Sequence, residues 1–323
     1  AGKILDNIAE HGPNSISYDL GTQMIMKRSP YAGVVRFANL TGIALPELFA
    51  GVGDQPTGIY MTTGINILGD TMAAVYKSRA CFIWMTNPAV TRIPDAHFFW
   101  EARYNGTRIY AISPEFTPTA MHADRWLNPK PGTDAALALA MAQTIIAESM
   151  TDAGYVKEQT DLPFLVRRDT QKFLRGTDLA NPPEADVPDS VFYIWDAATD
   201  SLQVAPSTGR APVLMEIPGL PPEDGALELG DLDPALEGTW TVETKDGPVE
   251  VTTVFARLKE QLDANYTPEA AQAITGVHPD VVRTVAREWA AAKPAMIFSG
   301  YASCKWLNGE MLQRSFLLLL SLT

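Results

Sequence analysis

The spacing of hydrophobic residues alternates, along the first 155 residues, between a pattern typical of buried strands and one typical of helices. Residues 16–20 have a strand-like pattern, and residues 81–85 and 108–113 are largely apolar, so all three segments predict strands. Residues 96–104 and 135–148 carry apolar side chains at helical spacing. Because strands and helices follow one another in turn, the sequence predicts an α/β fold with a parallel sheet.

The sequence pattern changes between residues 156 and 255, where Pro, Gly and Asp are frequent and the predicted strands are short. This stretch predicts an irregular α+β excursion and not a second core. Regular order returns in the last segment, with predicted helices at 254–265 and 281–292 and a strand at 295–298. We therefore predict three parts: 1–155, 156–255 and 256–323.

Charge and cysteine content narrow the function classes. The 323 residues include 25 Lys and Arg against 38 Asp and Glu, a formal net charge of −13. That balance argues against a nucleic-acid or anionic-membrane partner, because both attract clustered basic residues. Two cysteines, Cys81 and Cys304, cannot build a disulfide framework or a four-cysteine iron–sulfur site within this chain.

The two ends suggest a segment of a longer polypeptide. The chain opens inside a helical pattern, and its last apolar run, residues 316–322, is far too short to span a bilayer. We therefore expect no direct membrane span in this chain.

Polar residues follow the predicted strands and precede the long helix. In open parallel sheets, ligands bind at the carboxyl ends of strands, and anionic groups bind at helix N-termini. Residues able to contact a nucleotide are therefore expected in three loops: Asn87, Ser113, Glu115, Gly132, Thr133 and Asp134. No Gly-x-Gly-x-x-Gly or Walker motif is present, which argues against an ordinary NAD or ATP site. The alternative is structural: Asn87-Pro88 as a turn, and Thr133 or Asp134 as a helix cap.

Several segments together resemble a known enzyme family. They are residues 87–99 (NPAVTRIPDAHFF), 113–116 (SPEF), 123–126 (ADRW), 131–134 (PGTD), 158–167 (EQTDLPFLVR), 232–238 (LDPALEG) and 275–279 (TGVHP). They resemble the catalytic subunits of the DMSO reductase family of molybdenum enzymes. The subgroup resembled contains nitrate, selenate and (per)chlorate reductases, dimethylsulfide dehydrogenase and ethylbenzene dehydrogenase. The resemblance covers essentially the whole chain.

The resemblance implies a cofactor and a setting. The cofactor would be molybdenum bis(molybdopterin guanine dinucleotide), bound by the loop residues named above in a Rossmann-like core, a partial molybdopterin oxidoreductase fold. A 4Fe-4S cluster is expected in the parent chain outside this segment. An iron–sulfur beta subunit, a haem gamma subunit and a periplasmic location, with a twin-arginine signal outside this segment, are likewise implied.

Asp54 lies in a glycine-flanked loop, Gly51-Val52-Gly53-Asp54. A Gly-Asp pair is also common in ordinary turns. Within the resemblance, Asp54 falls where the subgroup supplies a carboxylate to molybdenum, which fits the preference of a high-valent metal for oxygen donors. Asp54 is thus predicted as metal ligand and catalytic residue.

Lys305 and residues 47–53 bear on the reaction. Lys305 matches an active-site lysine position in the resemblance to ethylbenzene dehydrogenase, although most loop lysines are simply solvated. Residues 47–53 (ELFAGVG) replace the aromatic stretch of nitrate and perchlorate reductases. These features favour a hydrocarbon-hydroxylating dehydrogenase, with an oxyanion reductase or dimethylsulfide dehydrogenase as the alternative. A non-catalytic relative without metal is the hypothesis from a different class.

Overall fold

The computed structural model describes residues 1–18, 28–45, 56–64, 69–183, 191–206 and 227–323. The chain divides into two units, Ala1–Gln55 and Pro56–Thr323. In the first unit, α1 spans Gly2–His11 and α2 spans Arg28–Thr41. The strand predicted at residues 16–20 is present as a single parallel bridge between Ser17 and Ala44. Asp19 and Leu20 lie outside the described residues.

The second unit is built from helices and strands in alternation. Its helices are α3 Thr57–Thr63, α4 Pro88–Thr91, α5 Ile93–Tyr104, α6 Pro118–Met121, α7 Asp134–Ala147, α8 Ala153–Gln159, α9 Val254–Asn265, α10 Pro268–Thr275, α11 Pro279–Ala291 and α12 Gly309–Leu322. Its strands are β1 Ala80–Trp84, β2 Arg108–Ile112, β3 Arg125–Leu127, β4 Leu165–Arg167, β5 Tyr193–Asp196, β6 Ser201–Val204, β7 Thr239–Thr244, β8 Gly247–Thr253 and β9 Ala295–Ser299.

Four strands form a parallel sheet in the order β3-β2-β1-β9. All five residues of β1 are buried, as expected for a central strand covered by helices on both faces. Phe82 and Trp84 on one face pack with α7, α11 and α12. Cys81 and Ile83 on the other face pack with Phe99 of α5. The predicted α/β class with a parallel sheet is therefore confirmed.

The middle of the chain forms antiparallel structure with cores of its own. β4, β8 and β7 make a three-stranded sheet, and β5 and β6 make a hairpin. Leu165, Tyr193, Val242 and Val251 are among the residues of a separate buried cluster. The expectation of no second core was therefore wrong, because alternating side chains of β7 and β8 bury one face although the connecting loops are irregular. The predicted three-part division stays a prediction.

Caps explain where the later helices begin. Thr253 accepts a hydrogen bond from the backbone N–H of Ala256 at the start of α9, and Thr267 does the same for α10. Among the described residues, no helix has both the length and the apolar composition needed to cross a bilayer.

Candidate functional site

The sheet reverses its strand order between β1 and β9. From β1 the chain runs outward to β2 and β3, and it later returns to add β9 on the opposite side of β1. Such a switch point leaves a crevice outside the carboxyl ends of the strands, where ligands bind in open α/β proteins. The ends of β1 and β9 are joined at this point, because the N–H of Gly300 after β9 donates a hydrogen bond to the carbonyl of Trp84 at the end of β1.

The predicted site residues of the second unit all lie at this carboxyl edge. Asn87 follows β1, Ser113 and Glu115 follow β2, and the Gly132-Thr133-Asp134 segment joins β3 to α7. Lys305 lies in the exposed loop that follows β9. The topology thus brings together residues from four neighbouring strands. Asp54 lies outside the described residues, so its assignment as metal ligand stays a prediction.

The loop after β1 leaves the sheet through an unusual backbone conformation. Met85 has a φ of 53°, in the left-handed region that costs a non-glycine residue free energy. Two residues later, the side-chain oxygen of Asn87 accepts hydrogen bonds from the Thr119 hydroxyl at 2.6 Å and from the Thr119 N–H at 3.3 Å. The side-chain oxygen of Asn87 is thus occupied, which leaves its NH₂ group as a donor for a ligand.

The loop after β2 holds Ser113 and Glu115 in different environments. Ser113 is buried, its hydroxyl donates to the carbonyl of Glu115 at 2.8 Å, and its own carbonyl accepts from the Trp126 indole. The Glu115 side chain is exposed. Ser113 therefore shapes the turn, and Glu115 presents a carboxylate at the edge of the sheet.

The turn before α7 depends on a glycine. Gly132 has a φ of 79°, and a Cβ placed there would lie 3.5 Å from the Trp306 ring. The Thr133 N–H bonds the Lys130 carbonyl and the Ala136 N–H bonds the Thr133 carbonyl. The positive end of the helix dipole still favours an anionic or polar ligand at this turn. Glycine adopts this positive φ without the steric cost that a side chain would add.

Neither Thr133 nor Asp134 caps α7 through its side chain, which corrects that part of the structural alternative. The Thr133 hydroxyl donates to the carbonyl of Lys130 inside the turn. Asp134 is 3% exposed, and its Oδ1 accepts a hydrogen bond of 2.8 Å from the Trp84 indole. Burial raises the pKa of Asp134 above its ordinary value, and the Trp84 hydrogen bond partly opposes this rise.

A cavity of about 660 Å³ opens beside this turn. Its wall includes Gly132, Thr133 and Asp134, and much of the remainder is apolar. Two charged residues, Asp161 and Arg314, also line it. Asp161 is exposed to solvent, yet desolvation by the surrounding protein raises the pKa of its carboxyl group, and the charge of Arg314 opposes that shift.

The hydrogen-bond donors and acceptors at this edge fit a polar dinucleotide. An amide, a hydroxyl, two carboxylates and a helix N-terminus stand at one edge of the sheet, and a glycine admits close approach of the backbone. In the described ranges, no cluster of three or more His, Cys, Asp or Glu forms a metal site.

Two residues of this edge had escaped the sequence analysis. Trp84 was predicted as part of a buried strand, but its indole N–H needs a hydrogen-bond acceptor when buried, and that need was the available signal. Thr119 carried no signal in the sequence, because its contact with Asn87 spans 32 residues.

The whole chain, residues 1–323, matches the family model of molybdopterin oxidoreductases. It is 40% identical to the perchlorate reductase subunit alpha of Dechloromonas aromatica, with 100% of this chain and 35% of the relative covered. The dimethylsulfide dehydrogenase subunit alpha of Rhodovulum sulfidophilum is 37% identical, with coverages of 100% and 33%. The chlorate reductase subunit alpha of Ideonella dechloratans is 39% identical, again with coverages of 100% and 33%.

A solved structure supports the fold. Acetylene hydratase from Pelobacter acetylenicus superimposes with a TM-score of 0.53 at 18% identity, covering 99% of this chain and 31% of that chain. The chain spans about a third of the length of the curated relatives it matches. The resemblance inferred from the loop motifs is confirmed over the full chain. This chain belongs to the molybdopterin oxidoreductase family.

Proposed function

We propose that this chain is part of the catalytic subunit of a molybdenum oxidoreductase that removes an oxygen atom from an oxyanion. In that direction the substrate loses one oxygen atom, takes up two electrons and two protons, and releases water. The observation that carries the proposal is the match of all 323 residues to the family, together with the placement of its polar loops at one sheet edge.

The relatives' names support an order among the candidate substrates. Two of the three relatives described above are named perchlorate and chlorate reductases, and the third is a dimethylsulfide dehydrogenase. Hydrocarbon hydroxylation rests on Lys305 and residues 47–53 alone, and no relative named above supports it. We therefore place oxyanion reduction first, dimethylsulfide oxidation second and hydrocarbon oxidation last.

Each predicted site residue has a role in this proposal. Asp54 would hold the metal, and the exposed Lys305 would attract and orient an anionic substrate by its charge. A molybdopterin guanine dinucleotide would lie along the carboxyl edge, bound by the loop residues Asn87, Ser113, Glu115, Gly132, Thr133 and Asp134. When bound, the cofactor supplies the oxygen-transfer and two-electron chemistry, and the protein supplies access and electrostatics.

The setting of the enzyme is part of the same proposal. The relatives are named alpha subunits, which implies further subunits in their complexes. We expect an iron–sulfur beta subunit, a haem gamma subunit and a 4Fe-4S cluster elsewhere in the parent chain, because electrons must reach the site. A periplasmic location is also proposed.

The test is metal analysis and turnover of the full-length protein, purified without oxygen. We expect molybdenum and pterin, and oxidation of a reduced viologen with perchlorate, chlorate, nitrate or selenate. Oxidation of dimethylsulfide or ethylbenzene with an artificial acceptor, without oxyanion reduction, would reverse the order of substrates. Absence of molybdenum and pterin would instead support the non-catalytic relative.

Variants test the two catalytic assignments. We expect Asp54→Ala to abolish turnover, and Lys305→Ala to lower it while molybdenum is retained. The matched control is Lys172→Ala, an exposed lysine beside the antiparallel sheet. Wild-type rates in Asp54→Ala and Lys305→Ala would refute the site.

A further inference from the structure

Trp84 connects the end of the central strand to the start of α7. Its indole Nε1–H donates to Oδ1 of Asp134 at 2.8 Å, across 50 residues of sequence. Trp84 is fully buried and Asp134 is 3% exposed, so water competes little for this bond. A hydrogen bond from a neutral donor to a buried carboxylate is among the stronger ones in proteins.

Packing fixes the direction of the indole ring. The Trp84 ring lies 4.6 Å, centroid to centroid, from Phe316 of α12 and 6.0 Å from Phe82 of its own strand. These contacts hold the ring in a dense core, so the N–H group cannot easily turn away from Asp134. The acceptor is therefore held by a rigid donor.

The Asp134 carboxylate has capacity for more hydrogen bonds. An ionised carboxylate offers about four acceptor positions. Trp84 and the N–H of Asp134 itself are the groups that favour its charged form. Asp134 also lines the cavity beside Gly132 and Thr133. A buried carboxylate with so few partners among the described residues is arranged to receive donors from a ligand.

We infer that Trp84 is a positioning residue, whose indole N–H holds the Asp134 carboxylate so that its remaining acceptor positions face N–H or O–H groups of the bound cofactor. The inference rests on the proposed function and deepens it. Without the indole donor, burial would favour protonation of Asp134, and a protonated carboxyl places a donor where the ligand needs an acceptor.

The test measures how tightly the full-length enzyme holds its cofactor, not its activity. Molybdenum and oxidised pterin released from Trp84→Phe are followed over time after gel filtration. We expect roughly tenfold faster release than from wild type, the scale of a lost hydrogen bond to a charged group. The matched control is Trp289→Phe, a fully buried tryptophan of the same core whose indole N–H bonds the Leu319 carbonyl.

A double-mutant cycle separates positioning from packing. If Trp84 acts through Asp134, release from the double variant Trp84→Phe/Asp134→Ala equals release from Asp134→Ala alone. Wild-type release from Trp84→Phe, additive effects in the cycle, or equally fast release from Trp289→Phe would overturn the inference. If Trp84→Phe does not fold, replacing Trp84 by 3-benzothienylalanine, which lacks the N–H but keeps the ring shape, makes the same comparison.

The outcomes for the two proposals are distinguishable. A wild-type enzyme without molybdenum or pterin overturns the proposed function and this inference together. A loaded wild type whose cofactor is held equally well by Trp84→Phe overturns the role of Trp84 alone.

Discussion

Among single residues, the buried Asp134 at the sheet edge lowers the free energy of unfolding at neutral pH. Burial raises the pKa of its carboxyl group, so the folded chain keeps a proton at pH values where the unfolded chain has released it. That proton favours folding below the ordinary aspartate pKa. The benefit is lost as the pH rises through the higher folded-state pKa. At neutral pH the ionised, buried group therefore makes the free energy of unfolding smaller.

We expect Asp134→Asn to remove this effect, because the amide does not titrate and its oxygen still accepts from Trp84. The midpoint of thermal unfolding of the cofactor-free protein should rise at neutral pH by about 1–2 °C, and this gain should shrink as the pH falls towards the ordinary aspartate pKa. The exposed Asp246→Asn is the control. A gain that does not vary with pH would contradict the assignment.

Between elements, the buried side chain of Gln313 ties three segments together. Gln313, on α12, is 3% exposed, and its Oε1 accepts from the backbone N–H of Gly58 at 2.8 Å. Its Nε2 donates to the Ser303 hydroxyl at 3.1 Å. A Cβ on Gly58 would lie 2.1 Å from the carbonyl of Glu310, so glycine alone permits this approach of α3 to α12.

Gln313→Leu should therefore destabilise the protein by about 1–3 kcal/mol, because it leaves the buried N–H of Gly58 without its acceptor and leaves the buried Ser303 hydroxyl with Ser299 alone. Thermal unfolding measures the loss, and hydrogen exchange should show a faster Gly58 amide. Gln272→Leu, on an exposed position of α10, serves as the control. Equal exchange of Gly58 in variant and wild type would disprove the anchoring role.

Periodicity predicted several of the helices and strands. The helix predicted at residues 254–265 has those bounds in the structure, and β1 differs from its prediction by one residue at each end. The parallel sheet was predicted from the alternation of strands and helices, and the loops expected at the carboxyl ends of its strands lie at one edge. These predictions succeed because each depends on neighbours within a few residues.

Contacts between distant residues could not be predicted in this way. Gln313 and Gly58 are 255 residues apart, and no pattern in one sequence specifies such a pair. The second core escaped detection because β7 and β8 are separated from β4 by long irregular segments. At Thr133 the capping rule failed since the hydroxyl bonds within its own turn instead.

For the whole molecule, the carboxyl edge and the antiparallel sheet should respond differently to the cofactor. The edge loops belong to the parallel sheet, whereas β4, β8 and β7 form a separate sheet with its own buried cluster. A ligand stabilises the segments it contacts against local opening, and at a concentration 100 times its dissociation constant this amounts to about 2.7 kcal/mol.

Hydrogen exchange on the full-length protein, prepared with and without molybdenum, tests this division. We expect amides at residues 85–92, 113–117 and 128–137 to exchange roughly 10–100-fold more slowly in the loaded protein. Residues 239–253 are the internal control and should change little, because their local opening does not expose the edge. Protection confined to residues 239–253, or spread evenly over both sheets, would mean that the cofactor does not bind where the strand order reverses.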